Sequence, residues 1–356
     1  MKNALKDFKM TEIIDLYSML PSEVEAYLIS LGEPKFRAKQ LFPRLQDGTP
    51  ISEISNLPKA LRERLSEETL NPIPTVEKKL VSKIDGTVKY LFRLHDGECI
   101  ESVLMKYKHG NTLCVSSQVG CRMGCRFCAS TLAGRVRNLL PSEILGQIIA
   151  ATRDSGERVS NVVMMGIGEP LDNFDNVVRF LELVNHEDGL NIGYRHISLS
   201  TCGVVPKILE LAELDLPITL SISLHATNDE QRSAIMPVNN KWKINELLSA
   251  CVSYYKKTGR RISFEYTLIH GKNDTEADAF ALARLLTTAF RGTGAPIHVN
   301  LIRVNEVAEI GFKNPSTEAA NRFAELLNSR GCVATVRRRL GSDIEAACGQ
   351  LRRSNS

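Results

Sequence analysis

The sequence predicts an α/β protein of about six parallel β/α units, preceded by a small helical region and a β-hairpin. Three observations predict it. Residues 1–75 carry apolar side chains at helical spacing, residues 76–106 alternate as strands do, and residues 107–343 interleave strand-like runs with amphipathic stretches.

Taken in order, "EIIDLYSML", "PSEVEAYLISLG" and "KFRAKQLFPRL" read as short helices, with Gly32 as a stop, and "NLPKALRERLSEE" as another that opens near Pro58. "NPIPTVEKKL" punctuates the chain and sets a boundary near residue 75. "TVKYLFRL", a turn at "HDGE" and "CIESVLMKY" form the hairpin. Strands follow at "LCVSSQ", "NVVMMGIG", "HISLSTCG", "ITLSISLHA", "ISFEYTLIHG" and "IHVNLIRVN". Helices fall at "SEILGQIIAATRDSG", "FDNVVRFLELVNH", "PKILELAEL", "INELLSACVSYYKKTG", "EADAFALARLLTTAF" and "STEAANRFAELLNSRG". Six units fall short of a closed eight-fold barrel, and the pattern fits a partial barrel or a doubly wound sheet. Residues 344–356 read as a separate C-terminal segment.

Hydrophobic residues make up 43% of the 356 and charged residues 24%, ordinary values for a chain with a sizeable core. No apolar run approaches the roughly 20 residues that span a bilayer. The start, "MKNALKDFKM", lacks an apolar signal region, so a cytoplasmic protein is expected. Its nine cysteines are then expected to be reduced and to serve metal or catalytic chemistry. Net charge is +4 but uneven: residues 76–140 hold 11 Lys+Arg against 5 Asp+Glu, and residues 330–356 hold 6 against 2. Such a footprint fits a polyanion, RNA or DNA, with solvated basic loops as the plain alternative.

"CRMGCRFCAS" sets Cys121, Cys125 and Cys128 directly after the first strand of the parallel series. A zinc site wants four ligands. Cys114 could be the fourth, but structural zinc usually comes as paired knuckles and no second CxxC exists downstream. Three thiolates on an iron–sulfur cubane leave one iron open for a substrate, and CxxxCxxC with an aromatic before the last cysteine is the radical S-adenosylmethionine signature. In parallel β/α folds functional groups sit at strand C-terminal ends. The strands there deliver "GIGEP", Ser200, "SLHA" and Asn305, small and polar groups where a core wants bulk. Alone, "GIGEP" is no more than a tight turn; beside the three thiolates, Gly168 and Glu169 become candidates for the amino group of S-adenosylmethionine. A buried thiol is the ordinary fate of a lone cysteine such as Cys114 or Cys348. Ala346, Ala347 and Gly349, however, leave room for something bulky at Cys348.

The run "GEPKFRAKQLF", "NLPKALRERL", "IESVLM", "CVSSQVGCRMGCRFCAS", "MMGIGEPLDN", "LSTCGVVP", "SISLHA", "HVNLI" and "DIEAACGQL" resembles the RlmN/Cfr family of radical SAM RNA adenosine methyltransferases over nearly the whole chain. "GEPL" and the run as a whole are most similar to the RlmN branch, which modifies C2 of adenine, rather than the Cfr branch, which modifies C8.

The resemblance implies a partial (β/α)6 radical SAM barrel over 107–343, an RNA-binding helical accessory domain over 1–75, a hairpin connector over 76–106 and a C-terminal segment carrying the methyl-accepting cysteine. It implies a 4Fe–4S cluster on Cys121, Cys125 and Cys128, and S-adenosylmethionine, two per turnover, held by Gly168, Glu169, Ser200, Ser223, Leu224, His225 and Asn305. It gives Cys348 the methyl, Glu101 the C2 proton and Cys114 the release step, through a transient disulfide with Cys348. For Glu101 the plain alternative is a surface strand carboxylate balancing charge. Arg122, Arg126 and Arg337 to Arg339 are expected to favour thiolate. The implied partners are 23S ribosomal RNA and tRNA, and a reductant such as flavodoxin or ferredoxin acting on a monomer. RNA contact is expected from the helical region, the strip 76–140, Arg337–Arg339 and the tail "GQLRRSNS", with the alternative that the three arginines alternate across a strand and one is buried in an ion pair. The rival readings are a C8 methyltransferase and a non-enzymatic zinc RNA-binding protein.

Overall fold

Proline opens the first helix because its missing amide is not needed in a first turn. In the computed structural model, which describes residues 13–305 and 311–351, α1 (Pro21–Ser30) begins on Pro21, α2 spans Arg37–Gln46, and α3 (Lys59–Glu68) follows Pro58. Gly32, at a φ of +86°, ends the first of these. Their apolar faces (Val24, Leu28, Leu41, Leu45, Leu61, Leu65) close a small core of their own. The expected helix at "EIIDLYSML" is only a single turn, Leu16–Ser18, among the described residues. The Asp15 carboxylate accepts from both the amide and the hydroxyl of Ser18, which tightens the backbone before Pro21 restarts it.

The hairpin is part of the main sheet. Strands β1 (Thr75–Val81), β2 (Val88–Arg93) and β3 (Cys99–Tyr107) run antiparallel, and β3 pairs antiparallel with β4 (Gly110–Cys114). A two-stranded ribbon, β5 (Gln118–Gly120) and β6 (Arg135–Asn138), brackets the cysteine loop. Gly120 permits it: a Cβ there would lie 1.8 Å from the carbonyl oxygen of Gly134.

From β4 onward the sheet is parallel through β7 (Val159–Met164), β8 (Ile197–Thr201), β9 (Thr219–Ser223), β10 (Ile262–Leu268), β11 (His298–Arg303) and β12 (Val333–Val336). Helices α4 (Pro141–Ser155), α5 (Phe174–Asn185), α6 (Val205–Glu213), α7 (Asp229–Ile235), α8 (Ile244–Thr258), α9 (Glu276–Ala289) and α10 (Thr317–Asn328) connect them. The strand order β1-β2-β3-β4-β7-β8-β9-β10-β11-β12 never reverses. A doubly wound sheet needs such a reversal, so the winding is single and the sheet stays open between β1 and β12. The parallel part has seven strands rather than six: β12 is a four-residue edge strand with Val333 exposed, too short to read as a strand beforehand.

After β12 the chain folds back over the sheet. Asp343 accepts from the Ser82 hydroxyl (2.7 Å) and the Lys83 amide (2.9 Å), and the Gly341 amide donates to Asp85 (2.9 Å). Ala346 and Leu351 pack with Val103, Met105, Cys114 and Ile167. No helix among the described residues is long and apolar enough to cross a membrane.

Candidate active site

A cavity opens at the C-terminal ends of the parallel strands, lined by Cys121, Cys125 and Cys128 on one side and by Cys348 and Gly349 on another. The cysteine loop is seated by its main chain. The Arg126 amide donates to Ile235 (2.9 Å), the Ala129 amide to Gly349 (2.8 Å), and the Cys128 amide to Cys125 (3.1 Å). Burial pushes the Cys121 thiol up to about 12 and the Cys125 and Cys128 thiols upward as well. The expected help from Arg122 toward thiolate is weak, because Arg122 is engaged chiefly by Asp172 (Nε to Oδ2, 3.0 Å) and only secondarily by Cys121. Thiolates here need a cation bound directly to sulfur.

Gly168, Glu169, Ser200, Ser223, His225 and Asn305 line the same cavity. Gly168 sits at a φ of +105°, and a Cβ on it would come within 2.6 Å of Gln118, so only glycine leaves this wall open. The Glu169 carboxylate accepts from the amides of Cys202 (2.7 Å) and Leu171 (3.0 Å); burial raises its pKa against these bonds. His225 takes a left-handed φ of +57°, and its Nδ1 accepts from the Thr267 amide at 2.9 Å. Burial, seconded by Arg232, pushes its pKa down to about 3, so the ring is neutral with its proton on Nε2. Leu224 does not line the cavity. Its side chain is in the main core, its amide donates to the carbonyl of Glu265 and its carbonyl accepts from Arg232, which leaves that carbonyl one further lone pair.

Cys114 lines a second, adjoining cavity with Val103, Tyr107 and Arg338. Cys348, Asn305 and Arg337 line both. All nine cysteines are free thiols. Burial pushes Cys114 up to about 12; Cys348 adds to the rise and Arg337 opposes it, so the expected thiolate-favouring setting does not hold for Cys114. Glu101 lines neither cavity. It is buried on β3, with Oε1 2.8 Å from the Lys89 ammonium, which also excludes a surface strand carboxylate. Arg338 and Arg339 are exposed, whereas Arg337 turns inward toward Cys348 and Glu265 and is not the surface phosphate contact expected of it. Arg352 and Arg353 lie outside the described residues.

Two residues escaped the sequence reading. Arg232 is fully buried and donates to the carbonyls of Leu224, Cys202 and Ser223 and to Asn239 Oδ1, tying together the loops after β8 and β9. Nothing in "NDEQRSAI" marks it as buried. Glu265 lines the cavity, takes bonds from Asn300 (2.7 Å) and Ser263 (3.2 Å), and is raised by burial. A carboxylate inside an otherwise buried strand was the available signal.

The donor set fits an iron–sulfur cluster with a polar ligand beside it. Among the described residues no three His, Cys, Asp or Glu side chains converge on one ion. A cubane asks for thiolates on separate irons rather than on one. Asn305 Oδ1 is buried with no partner, on a residue that lines the same cavity as Gly168.

Family comparisons agree with this geometry. Residues 115–283 match the radical SAM superfamily, and residues 14–70 match the ribosomal RNA large subunit methyltransferase N-terminal domain. A probable dual-specificity RNA methyltransferase RlmN of Alkaliphilus oremlandii is 53% identical over 345 residues, covering 97% of this chain and 99% of that protein. One of Clostridium botulinum (strain Eklund 17B) is 52% identical over 346 residues, covering 97% of each. The crystal structure of a radical SAM methyltransferase from Sphaerobacter thermophilus superposes with a TM-score of 0.89 at 42% identity, covering 95% of this chain and 99% of that one. The fold and site are those of a radical SAM methyltransferase. The chain belongs to the RlmN family of these enzymes, which sets aside a non-enzymatic zinc protein.

Proposed function

We propose that this protein methylates C2 of adenosine in RNA, acting on the peptidyl-transferase region of 23S ribosomal RNA and on the adenosine beside the tRNA anticodon. Cys121, Cys125 and Cys128 hold a 4Fe–4S cluster, which when bound supplies the electron that splits S-adenosylmethionine to a 5′-deoxyadenosyl radical. Gly168, Glu169, Ser200, Ser223, His225 and Asn305 hold the S-adenosylmethionine, and neutral His225 offers it a donor at Nε2. A reductant such as flavodoxin or ferredoxin serves the enzyme, a cytoplasmic monomer.

Adenine C2 is electron-poor and has no lone pair with which to attack a sulfonium methyl. Cys348 therefore takes a methyl from a first S-adenosylmethionine by displacement. That carbon, after losing a hydrogen atom to the radical made from the second, bonds to C2. Glu101 accepts the C2 proton, and the unpaired electron left on the adduct would pass to the oxidised iron–sulfur cluster held by Cys121, Cys125 and Cys128, leaving a closed-shell thioether. Cys114 attacks the sulfur of Cys348; the bond from sulfur to the methylene breaks with its electron pair on carbon, which takes a proton and becomes the new methyl. The two cysteines are left as a transient disulfide.

One observation carries this reading: Cys348 borders both the cavity of the three cysteines and the cavity of Cys114. It can meet a cofactor on one side and a resolving thiol on the other. Mass spectrometry of nucleosides from 23S and tRNA substrates incubated with the reduced holoenzyme tests it. We expect 2-methyladenosine; 8-methyladenosine, or no methylated base, overturns the assignment.

A further inference from the structure

Lys89 has no part in the chemistry above, yet it touches Glu101 and the segment that carries Cys348. Lys89 lies on β2, buried, with its ammonium 2.8 Å from Glu101 Oε1 and 3.1 Å from the main-chain carbonyl of Glu345. Glu345 stands three residues before Cys348 and adopts a left-handed φ of +49°. Such a conformation in a residue with a Cβ persists only where its surroundings hold it. The ammonium therefore sits between the proposed proton acceptor and the segment that carries the methyl-accepting thiol.

We infer that Lys89 is a positioning residue that couples the charge on Glu101 to the seating of the Cys348 segment. While Glu101 is a carboxylate, the pair keeps Lys89 buried and its hydrogen bond fixes the Glu345 carbonyl. When a proton passes from C2 to Glu101, the carboxylate becomes a neutral acid and the buried ammonium loses its counter-charge. An uncompensated buried charge is strongly unfavourable, so the ammonium swings toward solvent and releases Glu345. Nearby carboxylates do not stand ready to replace Glu101: Asp343 is engaged by Ser82 and Lys83, and Asp85 by Gly341. Glu345 itself carries its carboxylate on an exposed residue, where water screens it. Proton removal and resolution are consecutive events, and the second requires Cys348 to approach Cys114. The coupling makes the first the trigger for the second.

The inference rests on Glu101 as proton acceptor, and the test separates the two. Hydrogen–deuterium exchange of residues 341–351 is measured in the full-length holoenzyme without RNA, for the wild type, Glu101→Gln, Lys89→Met and Lys89→Arg. Glu101→Gln keeps the shape and removes the charge. We expect several-fold faster exchange in Glu101→Gln and Lys89→Met, with Lys89→Arg close to wild type. Exchange in Glu101→Gln equal to wild type overturns the coupling, even if Lys89→Met is loose or fails to fold. Whether Glu101→Gln accumulates a covalent RNA adduct is read separately. Loosening without adduct removes the proton-acceptor role and leaves the coupling standing; adduct without loosening does the reverse.

Discussion

Asn305 donates its side-chain amide to the main-chain carbonyl of Cys348 at 2.8 Å, while its own Oδ1 is buried without a partner. The donor half of the side chain seats the methyl-accepting segment. The acceptor half is left over on a residue that borders both cavities, and a bound amine or hydroxyl that reached it would satisfy it.

Two substitutions separate these halves. Asn305→Ala removes both, and Asn305→Asp keeps only the acceptor. Calorimetry on the holoenzyme should show S-adenosylmethionine affinity falling about tenfold in Asn305→Ala, one net hydrogen bond's worth. The loss in Asn305→Asp should be smaller, and RNA affinity should be unchanged in both. Equal losses would mean that Oδ1 meets no ligand.

Arg232 contributes by closing the loops under the site. Methionine there strands three main-chain carbonyls and Asn239 Oδ1 in the interior. Stability should drop by on the order of 3 kcal/mol, read as a lower urea midpoint with an unchanged slope. Arg232→Lys should recover only part, since an ammonium cannot fork to acceptors spread this way.

His225 gives a pH signature. Its folded pKa of about 3 lies below the ordinary 6.5, so the unfolded chain binds a proton that the folded chain refuses. The stability it contributes is complete above pH 6.5 and is lost as pH falls from there toward 3. Between pH 7.5 and 5.5 the loss should be about 1.4 kcal/mol by urea denaturation. His225→Asn should remove that slope. The difference between variant and wild type cancels Asp15, Glu169 and Glu265, whose raised pKa values act in the opposite direction.

These residues also show what was legible in advance. Cys121, Cys125 and Cys128, the "GIGEP" turn and Asn305 were readable because each sits just past a strand whose apolar run is plain. The antiparallel edge was half-readable: β2 and β3 were expected to alternate and are buried along almost their whole length, while β1, "TVEKKLV", is almost wholly exposed and carries the charges of an edge strand rather than an apolar face. Arg232 and the Lys89–Glu101 pair were not readable at all. Their partners are carbonyls and side chains brought close by folding, and spacing along the chain holds no trace of them.

Arg337, Arg338 and Arg339 look alike in sequence and differ in the fold. Only the last two are exposed to a polyanion. Neutralising Arg338 and Arg339 together should lower the salt slope of RNA binding by roughly 1.4–1.8, at 0.7–0.9 per phosphate contact. Arg337→Gln should leave that slope alone and cut turnover, because its charge faces Cys348 and Glu265. A slope that moves with Arg337 instead would put it on the RNA.

The sharpest prediction concerns Cys348 and Cys114, which border a shared cavity yet act at opposite ends of the proposed cycle. Cys348→Ala should be inactive and carry no methyl on the protein. Cys114→Ala should accept the methyl, bond to the base and stop there, leaving a covalent protein–RNA adduct visible by mass spectrometry as a nuclease-trimmed addition to the Cys348 peptide. Were both merely buried thiols, each variant would lose about 1 kcal/mol of stability and keep its turnover. Normal turnover by Cys114→Ala, with no trapped RNA, would end the two-cysteine mechanism for this protein.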